Sequence, residues 1–273
     1  MNWLAVRVRP GAGRPQALAA LFEAGSEGVH ESGDELVTHF PGGTDGEAVR
    51  RAVLAADPDA VVTLTVIPAV DWAQEWKKGV RAHDLGALSI VPPWLADGRD
   101  PARTIIIEPQ MAFGTGEHQT TRGVVRLLPD VIRSGDRVAD LGCGSAVLSI
   151  AAIKLGAAHV VAIEIDHDSI ENAHENLARN GVSDRVTIFE GDANIFLPLV
   201  APVRVVLANI ISTVLLQMLP MIEASLVADG EAVLSGILIE EREMMRGELD
   251  DAGWDIIAED VEGLWWSARV VHR

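Results

Sequence analysis

Residues 138–146 read Val138-Ala139-Asp140-Leu141-Gly142-Cys143-Gly144-Ser145-Ala146, and this stretch decides the fold. Its apolar start indicates a buried strand, and the apolar run that follows Ala146 indicates a helix. The glycines at 142 and 144 let the chain turn sharply between the two and let a ligand approach the backbone closely. The stretch is therefore predicted to be a strand–loop–helix unit whose loop binds a small molecule.

Strands and helices alternate from this unit to the end of the chain. The predicted strands are Val138–Leu141, Val160–Ile165, Val186–Glu190, Val203–Ala208 and Glu231–Ser235, and the predicted helices are Ser145–Leu155, Asp168–Asn180, Ser212–Leu226 and Glu240–Ala252. Such alternation is typical of an α/β fold with a doubly wound, Rossmann-like parallel sheet. The last two strands, Trp254–Asp260 and Leu264–Val271, are joined by Glu262-Gly263 and predict a C-terminal antiparallel hairpin.

The first 67 residues show a different order of elements. Four predicted strands and two predicted helices follow one another as β-α-β-β-α-β, the split βαβ pattern of a small ferredoxin-like α+β domain. No catalytic group stands out in this region, so we expect it to serve recognition or packing. The predicted organisation is a ferredoxin-like domain at 1–67, a connector at 68–109 and the α/β domain at 110–273.

Composition limits the classes of partner. The chain of 273 residues has 40 acidic and 22 basic side chains and a net charge of −18. Nucleic-acid binders normally present a basic face, so direct nucleic-acid binding is not expected. An acidic surface favours a basic partner, although a need for solubility would explain the charge equally well. No signal peptide or membrane-length apolar run is visible, so we expect a cytoplasmic protein with no membrane contact.

The nature of the bound nucleoside follows from three positions. Glu164 lies about 20 residues after Gly142, the spacing of an acid that binds ribose hydroxyls. A dinucleotide loop needs a third glycine where Val147 stands. Asp140 suits a cationic ligand group better than a pyrophosphate. The loop therefore predicts S-adenosylmethionine, which carries an ammonium and a sulfonium; a glycine turn that only packs the helix on the strand is the alternative.

Two further polar residues end strands at the edge where ligands bind in open α/β sheets. Asp192, in Glu190-Gly191-Asp192-Ala193, is predicted to accept a hydrogen bond from the adenine amine, with an ordinary polar strand end as the alternative. Asn209, in Ala208-Asn209-Ile210, is predicted to lie beside the transferable methyl group, with a helix cap as the alternative. We expect no metal ion, because no cluster of side chains has metal-ligand spacing.

A longer motif carries a resemblance to a known family. Residues 108–121 read Glu108-Pro109-Gln110-Met111-Ala112-Phe113-Gly114-Thr115-Gly116-Glu117-His118-Gln119-Thr120-Thr121. This segment resembles the F-G-T-G-x-H-x-T-T loop of PrmA, the family of methyltransferases of large-subunit ribosomal protein eleven. The resemblance covers most of the chain, and further matching pieces are Asp71-Trp72, Trp76-Lys77, Asn176, Asn180-Gly181, Ala208-Asn209-Ile210 and Leu234-Ser235-Gly236-Ile237-Leu238.

The resemblance implies a class I protein N-methyltransferase that uses S-adenosylmethionine, releases S-adenosylhomocysteine and acts on lysine or N-terminal amines of that basic ribosomal protein. Thr121, Gly142, Glu164 and Asn209 match the family's cofactor contacts. The full expected set of site residues consists of cofactor contacts at Thr121, Asp140, Gly142, Gly144, Glu164, Asp192 and Asn209, a catalytic role for Asn209, and substrate contacts at Phe113, Thr115 and His118. We expect His118 to shape the pocket, with a general base as the alternative, and we expect a monomer.

The chain departs from the family pattern at three places. Ala146 stands where the family usually has a third glycine, and Glu164 where it usually has Asp. The segment Ile210-Ile211-Ser212-Thr213 replaces the usual I-L-A near the acceptor. Three other functions therefore stay open: methylation of another protein or a small amine, a non-catalytic cofactor-binding regulator, and an NAD-dependent oxidoreductase, against which Val147 argues.

Overall fold

The computed structural model describes residues 2–67, 79–110 and 112–273. The chain forms two compact units, Met1–Gly79 and Val80–Arg273. Trp72 and Trp76, which contribute to the family resemblance, lie outside the described residues, as does Met111. Since the first unit ends near residue 79, the segment 80–109 of the predicted connector is counted with the second unit.

The first unit is a four-stranded antiparallel sheet with two helices packed on one face. Its elements are β1 (Trp3–Arg9), α1 (Arg14–Glu23), β2 (His30–Ser32), β3 (Glu35–Pro41), α2 (Gly46–Ala56) and β4 (Val61–Ile67), and the strand order is β2-β3-β1-β4. Every second residue of β1, starting at Leu4, is buried against the helices, where Leu21 and Val53 complete the core. This period of two is what places one face of a strand inside.

The second unit is built on a seven-stranded mixed sheet. Its elements are α3 (Gln119–Leu127), β8 (Arg137–Leu141), α4 (Val147–Lys154), β9 (His159–Glu164), α5 (His167–Arg179), β10 (Val186–Glu190), α6 (Ala193–Val200), β11 (Val203–Asn209), α7 (Ser212–Ser225), β12 (Leu226–Leu238), α8 (Arg242–Asp251), β13 (Trp254–Glu262) and β14 (Trp265–His272). The strand order is β10-β9-β8-β11-β12-β14-β13. The first five run parallel, and β14 pairs antiparallel with both β12 and β13.

The predicted alternation and the C-terminal hairpin are therefore present in the structure. Helix α6 was not predicted from the sequence, and β12 extends beyond the predicted strand Glu231–Ser235 at both ends. The start of α4 differs for a physical reason, since the helix begins at Val147 and not at Ser145. Gly144 and Ala146 both have positive φ, at 51° and 63°, and the loop extends through them before the helix can start. Among the described residues, no helix is long and apolar enough to cross a membrane.

The order of the parallel strands opens a crevice between β8 and β11. The chain runs from β8 outward to β10, then returns to place β11 on the other side of β8, with Leu141 opposite Ala208. The loops that follow β8 and β11 therefore diverge over opposite faces of the sheet. Such a switch point is where ligands bind in open α/β sheets.

Three short strands precede this sheet: β5 (His83–Asp84), β6 (Ser89–Val91) and β7 (Thr104–Ile106). Two asparagine side chains, one in α5 and one at its C-cap, form hydrogen bonds with the backbone at the end of β7 and just after it. Asn180 pairs with both the N–H and the carbonyl of Ile106, at 2.9 and 2.7 Å, and Asn176 accepts from the Glu108 N–H at 2.9 Å. Asn176 also donates to the Ser145 carbonyl at 3.3 Å, so the same helix touches the glycine loop.

A buried ion network closes the opposite end of the large sheet. Arg204 donates to Asp136 and Glu231, both at 3.0 Å, and to the carbonyl of Val131. Glu231 also accepts from Arg269 at 2.5 Å. Although burial raises the pKa of Glu231, the hydrogen bonds from the two arginines hold that pKa below its usual value.

Arg204→Ala should strongly destabilise the second unit. It leaves the carboxylates of Asp136 and Glu231 buried without their shared partner, which typically costs about 3 to 5 kcal/mol of unfolding free energy. Urea denaturation measures the loss. Arg273→Ala is the matched control, since it removes an exposed pair with Asp250 and should cost less than about 1 kcal/mol. Equal losses of unfolding free energy in the two variants would contradict a stabilising role for the buried Arg204 network.

Candidate active site

The loop between β8 and α4 lies against the loop of residues 112–118. The Ser145 N–H donates to the Phe113 carbonyl at 2.9 Å, and the Ser145 hydroxyl donates to the Gly114 carbonyl at 2.8 Å. A Cβ at position 144 would lie 2.5 Å from the Phe113 carbonyl oxygen, so only glycine fits there. The two sequence motifs therefore form one continuous surface.

Glu164 holds the glycine loop from the neighbouring strand. One of its carboxylate oxygens accepts the Gly144 N–H at 2.8 Å, and the other accepts the Asp166 N–H at 2.9 Å. The side chain is buried. An ionised carboxylate can accept about four hydrogen bonds, so each oxygen keeps capacity for a further donor such as a ribose hydroxyl.

Asp140 lies at the end of β8 and is fully buried. Its Oδ2 accepts from the hydroxyl of Ser149 at 2.6 Å, but its Oδ1 has no hydrogen-bond partner within the described ranges. Burial raises the pKa of Asp140 to about 6, against the opposing effect of the Ser149 hydrogen bond and with a smaller contribution from the charge of Glu164. A cation beside this carboxylate would remove much of the cost of its burial.

Thr121 and Asn209 share this feature. The hydroxyl of Thr121, in the first turn of α3, and the side-chain oxygen of Asn209, at the end of β11, are buried and unpartnered in the part of the chain that the structure describes. Buried polar atoms are almost always hydrogen-bonded in proteins. Three such atoms, on three of the residues assigned to cofactor binding, fit a polar ligand that completes their hydrogen bonds.

Two clefts open above the carboxyl ends of the strands and share Ile210 and Val214 as a common wall. The smaller cleft, about 170 Å³, is lined by Leu141, Gly142, Ile163, Ile165, Gly191, Asp192, Ala193, Asn194, Ile210, Val214 and Met218. The larger cleft, about 440 Å³, is lined by Phe113, His118, Thr120, Asn209, Ile210, Ile211, Val214, Gly236 and Trp265. Of the predicted site residues, Gly142 and Asp192 line the smaller cleft, and Phe113, His118 and Asn209 line the larger one.

The larger cleft has an aromatic wall. The ring of His118 lies 5.0 Å from that of Phe113 and 4.8 Å from that of Trp265, measured between centroids. Nδ1 of His118 accepts from the Thr120 N–H and lies 2.7 Å from the Thr120 hydroxyl, so His118 caps α3. Burial and the charge of Arg122 lower the pKa of His118, and the ring is neutral near pH 7.

The predicted site residues fall into three groups in space. Gly142, Asp192, Asn209, Phe113 and His118 line the clefts. Thr121, Asp140, Gly144 and Glu164 line neither cleft: Thr121 is in the first turn of α3, Asp140 is near the end of β8, and Glu164 binds the N–H of Gly144 in the glycine loop. Thr115 is on the same loop as Phe113, but its hydroxyl accepts from the Glu117 N–H at 3.4 Å and it lines neither cleft.

Asp192 also has a structural role, which fits the alternative prediction of an ordinary polar residue at a strand end. Its Oδ1 accepts from the Asn194 N–H at 2.8 Å, so it is the N-cap of α6. Asn209 is not a helix cap in this way, because Ile211 occupies the N-cap position of α7. The cap hypothesis for Asn209 is therefore wrong, and its side-chain oxygen has no hydrogen-bond partner among the residues that the structure describes.

Two contributors to the site were missed by sequence reasoning. Trp265 forms one end of the aromatic wall, and Gly236 has φ of 85° with space for no Cβ, since one would lie 2.4 Å from the Ile210 carbonyl oxygen. The predicted strand ends at Ser235, whereas β12 continues to Leu238, so only the structure places Gly236 inside a strand, where a glycine often marks a close backbone approach. Nothing local to Trp265 indicates its place in the cleft.

The comparisons with known proteins agree with this geometry. The family model described as ribosomal protein L11 methyltransferase (PrmA) matches residues 19–273. A protein of that name from Exiguobacterium sibiricum is 37% identical over 214 residues, which are 78% of this chain and 67% of that protein. A second, from Pelotomaculum thermopropionicum, is 32% identical over 97% of each chain.

A solved structure is also similar. The crystal structure of ribosomal protein L11 methylase from Lactobacillus delbrueckii subsp. bulgaricus aligns with a TM-score of 0.62 and 29% identity, over 71% of this chain and 99% of that one. The mixed sheet and its helices therefore form an α/β methyltransferase fold. By the extent of the family match and the identity to these relatives, the chain belongs to the ribosomal protein L11 methyltransferase (PrmA) family.

Proposed function

We propose that this protein transfers methyl groups from S-adenosylmethionine to lysine or N-terminal amines of ribosomal protein L11. The observation that carries the proposal is the position of Asn209. It lines the larger cleft directly before Ile210, which both clefts share, and its buried side-chain oxygen lacks a partner among the described residues. Family membership supports the same activity.

The cofactor would be held by the residues around the glycine loop. Glu164 would accept the ribose hydroxyls, Gly142 would allow close approach of the backbone, and Asp192 would accept from the adenine amine. The negative charge of Asp140 favours a cationic ligand nearby. Bound S-adenosylmethionine supplies a methyl group that is already activated by its positive sulfur, so we expect neither a metal ion nor a covalent enzyme intermediate.

The chain's own contribution to the reaction is positioning. The side-chain oxygen of Asn209 can accept an N–H of the acceptor amine and so direct its lone pair towards the cofactor side. An amine must be neutral to attack, and a lysine with an ordinary pKa of about 10.4 is mostly protonated at pH 7. Nδ1 of His118 already accepts from Thr120, so we assign His118 to the wall of the cleft and expect the proton to leave to water.

The first unit is proposed to recognise the substrate. Its strand order and its β-α-β-β-α-β chain order are those of a ferredoxin-like domain, which supports this reading of residues 1–67. The net charge of −18 suits a basic ribosomal protein as partner. We expect a cytoplasmic monomer that binds no nucleic acid directly. We propose residues 110–273 as the methyltransferase domain and residues 68–109 as the connector, of which 80–109 are part of the second compact unit.

Asn209→Ala should abolish most methyl transfer and weaken cofactor binding much less, because the other six proposed cofactor contacts remain. Loss of the group that orients the amine should lower kcat by about 100-fold, a usual result of misplacing a reacting group by about 1 Å. The measurement combines labelled S-adenosylmethionine, purified ribosomal protein L11 and peptide mass spectrometry, with calorimetry for the cofactor.

Gln217→Ala is the control for that assay, because Gln217 is exposed on α7 and lines neither cleft. Its activity should equal that of the wild type. An Asn209→Ala variant that methylates at the wild-type rate would remove Asn209 from the mechanism. Cofactor binding by the wild type with no methylation of L11 would refute this substrate and direct the search to another protein or a small amine.

Asp140→Asn should change how stability depends on pH. Because burial raises the pKa of Asp140 to about 6, the folded state keeps a proton that the unfolded state loses from about pH 4 upward. The contribution of Asp140 to wild-type stability therefore falls between about pH 4 and 6 and stays lower above that range. A difference of two pKa units corresponds to about 3 kcal/mol. The unfolding free energy of the variant relative to the wild type should therefore rise by at most about 3 kcal/mol between pH 4.5 and pH 7.5.

Urea unfolding of the cofactor-free protein at the two pH values measures this difference. Ser149→Ala provides the opposite control, since it removes the hydrogen bond that lowers the pKa of Asp140 and should make the decline larger. An Asp140→Asn variant whose stability differs from wild type by the same amount at both pH values would show that this carboxylate is not the titrating group.

A further inference from the structure

Arg122 lies in the first part of α3, and its side chain is buried although it carries a full charge. A buried guanidinium needs hydrogen-bond acceptors for its donors. One nitrogen, Nη1, donates to the carbonyls of Gly116, at 3.2 Å, and Glu117. The Nε and Nη2 groups donate to the carboxylate of Glu262, with Nε at 3.0 Å. One side chain thus joins two segments that are distant in the sequence.

These two segments carry the opposite ends of the aromatic wall. Gly116 and Glu117 belong to the loop of residues 112–118, which positions Phe113 and His118. Glu262 is the last residue of β13 and pairs directly with Trp265 across the hairpin. The start of α3 also packs against the hairpin turn. The side chain of Gln119 is so close to Gly263 that a Cβ there would lie 2.6 Å from it.

A neighbouring ion pair on the same helix lacks this connection. Arg126 donates to Asp260 at 2.8 and 2.6 Å and to Glu262 at 2.7 Å. Within the described ranges, its hydrogen bonds go to β13 alone. Arg126 therefore attaches α3 to the hairpin, whereas Arg122 also attaches the loop that precedes the helix. The two arginines provide a matched pair for separating helix packing from loop placement.

We propose that Arg122 is a positioning residue that sets the width of the larger cleft by holding the loop of Phe113 and His118 against the hairpin that carries Trp265. The planar guanidinium group of Arg122 donates to the loop carbonyls and to the Glu262 carboxylate at the same time, and the single ammonium of lysine cannot reproduce that geometry. The effect on methyl transfer rests on the proposed function, whereas the mechanical link between loop and hairpin does not.

Hydrogen–deuterium exchange of the cofactor-free protein tests the mechanical link. In Arg122→Lys, exchange of the Ser145 N–H, which donates to the Phe113 carbonyl of the loop, and exchange in the turn at 262–265 should be about tenfold faster, the value of one hydrogen bond to a charged group. Arg126→Lys leaves the hydrogen bonds from Arg122 to Gly116 and Glu117 in place, so exchange of the Ser145 N–H should not change. Unchanged exchange of the Ser145 N–H in Arg122→Lys, or an equal increase in both variants, would overturn the proposal.

Steady-state kinetics with ribosomal protein L11 test the consequence. Arg122→Lys should lower kcat/KM for the acceptor by about tenfold, mainly through KM, because an ill-defined cleft holds the amine less well. The cofactor dissociation constant should stay within about twofold of the wild type. A parallel loss of cofactor affinity and acceptor kcat/KM would assign Arg122 to general stability and overturn the positioning role.

Glu262→Gln serves as a second variant if Arg122→Lys folds poorly. It keeps an acceptor for Arg122 but removes the charge, so a smaller increase in exchange of the Ser145 N–H and of the turn at 262–265 is expected, and no increase would contradict the proposal. Absence of methyl transfer in the wild-type protein would count against the proposed function alone, because the exchange measurement still decides whether Arg122 joins the loop to the hairpin.

Discussion

The hydrogen bond from the Gly144 N–H to Glu164 is the interaction on which the site depends. At 2.8 Å it joins the ends of two neighbouring parallel strands and fixes the glycine loop over the sheet. The other side of Gly144 is closed by the Phe113 carbonyl, which leaves no room for a Cβ. The nucleoside-side loop and the acceptor-side loop therefore meet at one backbone position, and neither can shift without moving the other.

Buried polar groups at the crevice differ from those elsewhere in the second unit in whether they have hydrogen-bond partners. Away from the crevice, buried charges such as Arg204 and Glu231 are paired with each other and with backbone groups. At the crevice, Thr121, Asp140 and Asn209 each keep a buried oxygen without a partner among the described residues. Proteins tolerate such local violations mainly where function requires them, because a ligand can supply what the fold leaves unsatisfied. One other buried side-chain atom lacks a hydrogen bond among the described residues, Nε2 of His83, and it lies 3.0 Å from the carboxylate of Glu117. The contrast therefore favours a binding role for the three residues at the crevice.

Much of the fold was predictable because its signals are local. The strand–loop–helix unit at 138–154, the alternation that follows it and the C-terminal hairpin all depend on hydrophobic period and glycine position. The helix start was misplaced by two residues, since the left-handed conformation of Ala146 has no composition signal. Of the site, the residues at strand ends were predictable for the same reason, whereas Trp265 was not, because its place depends on the pairing of β14 with β12.

By itself, the sequence determined the order of elements, the nature of the cofactor loop and the acids at its strand ends, since each is encoded within about 20 consecutive residues. Only the tertiary structure decided which of these residues share a cleft, which polar atoms stay unpaired, and that Arg122 reaches Glu262. Such contacts depend on the register of strands far apart in the chain and on how closely their loops pack. Period and spacing carry no information about distances between distant segments, and those distances define the cleft.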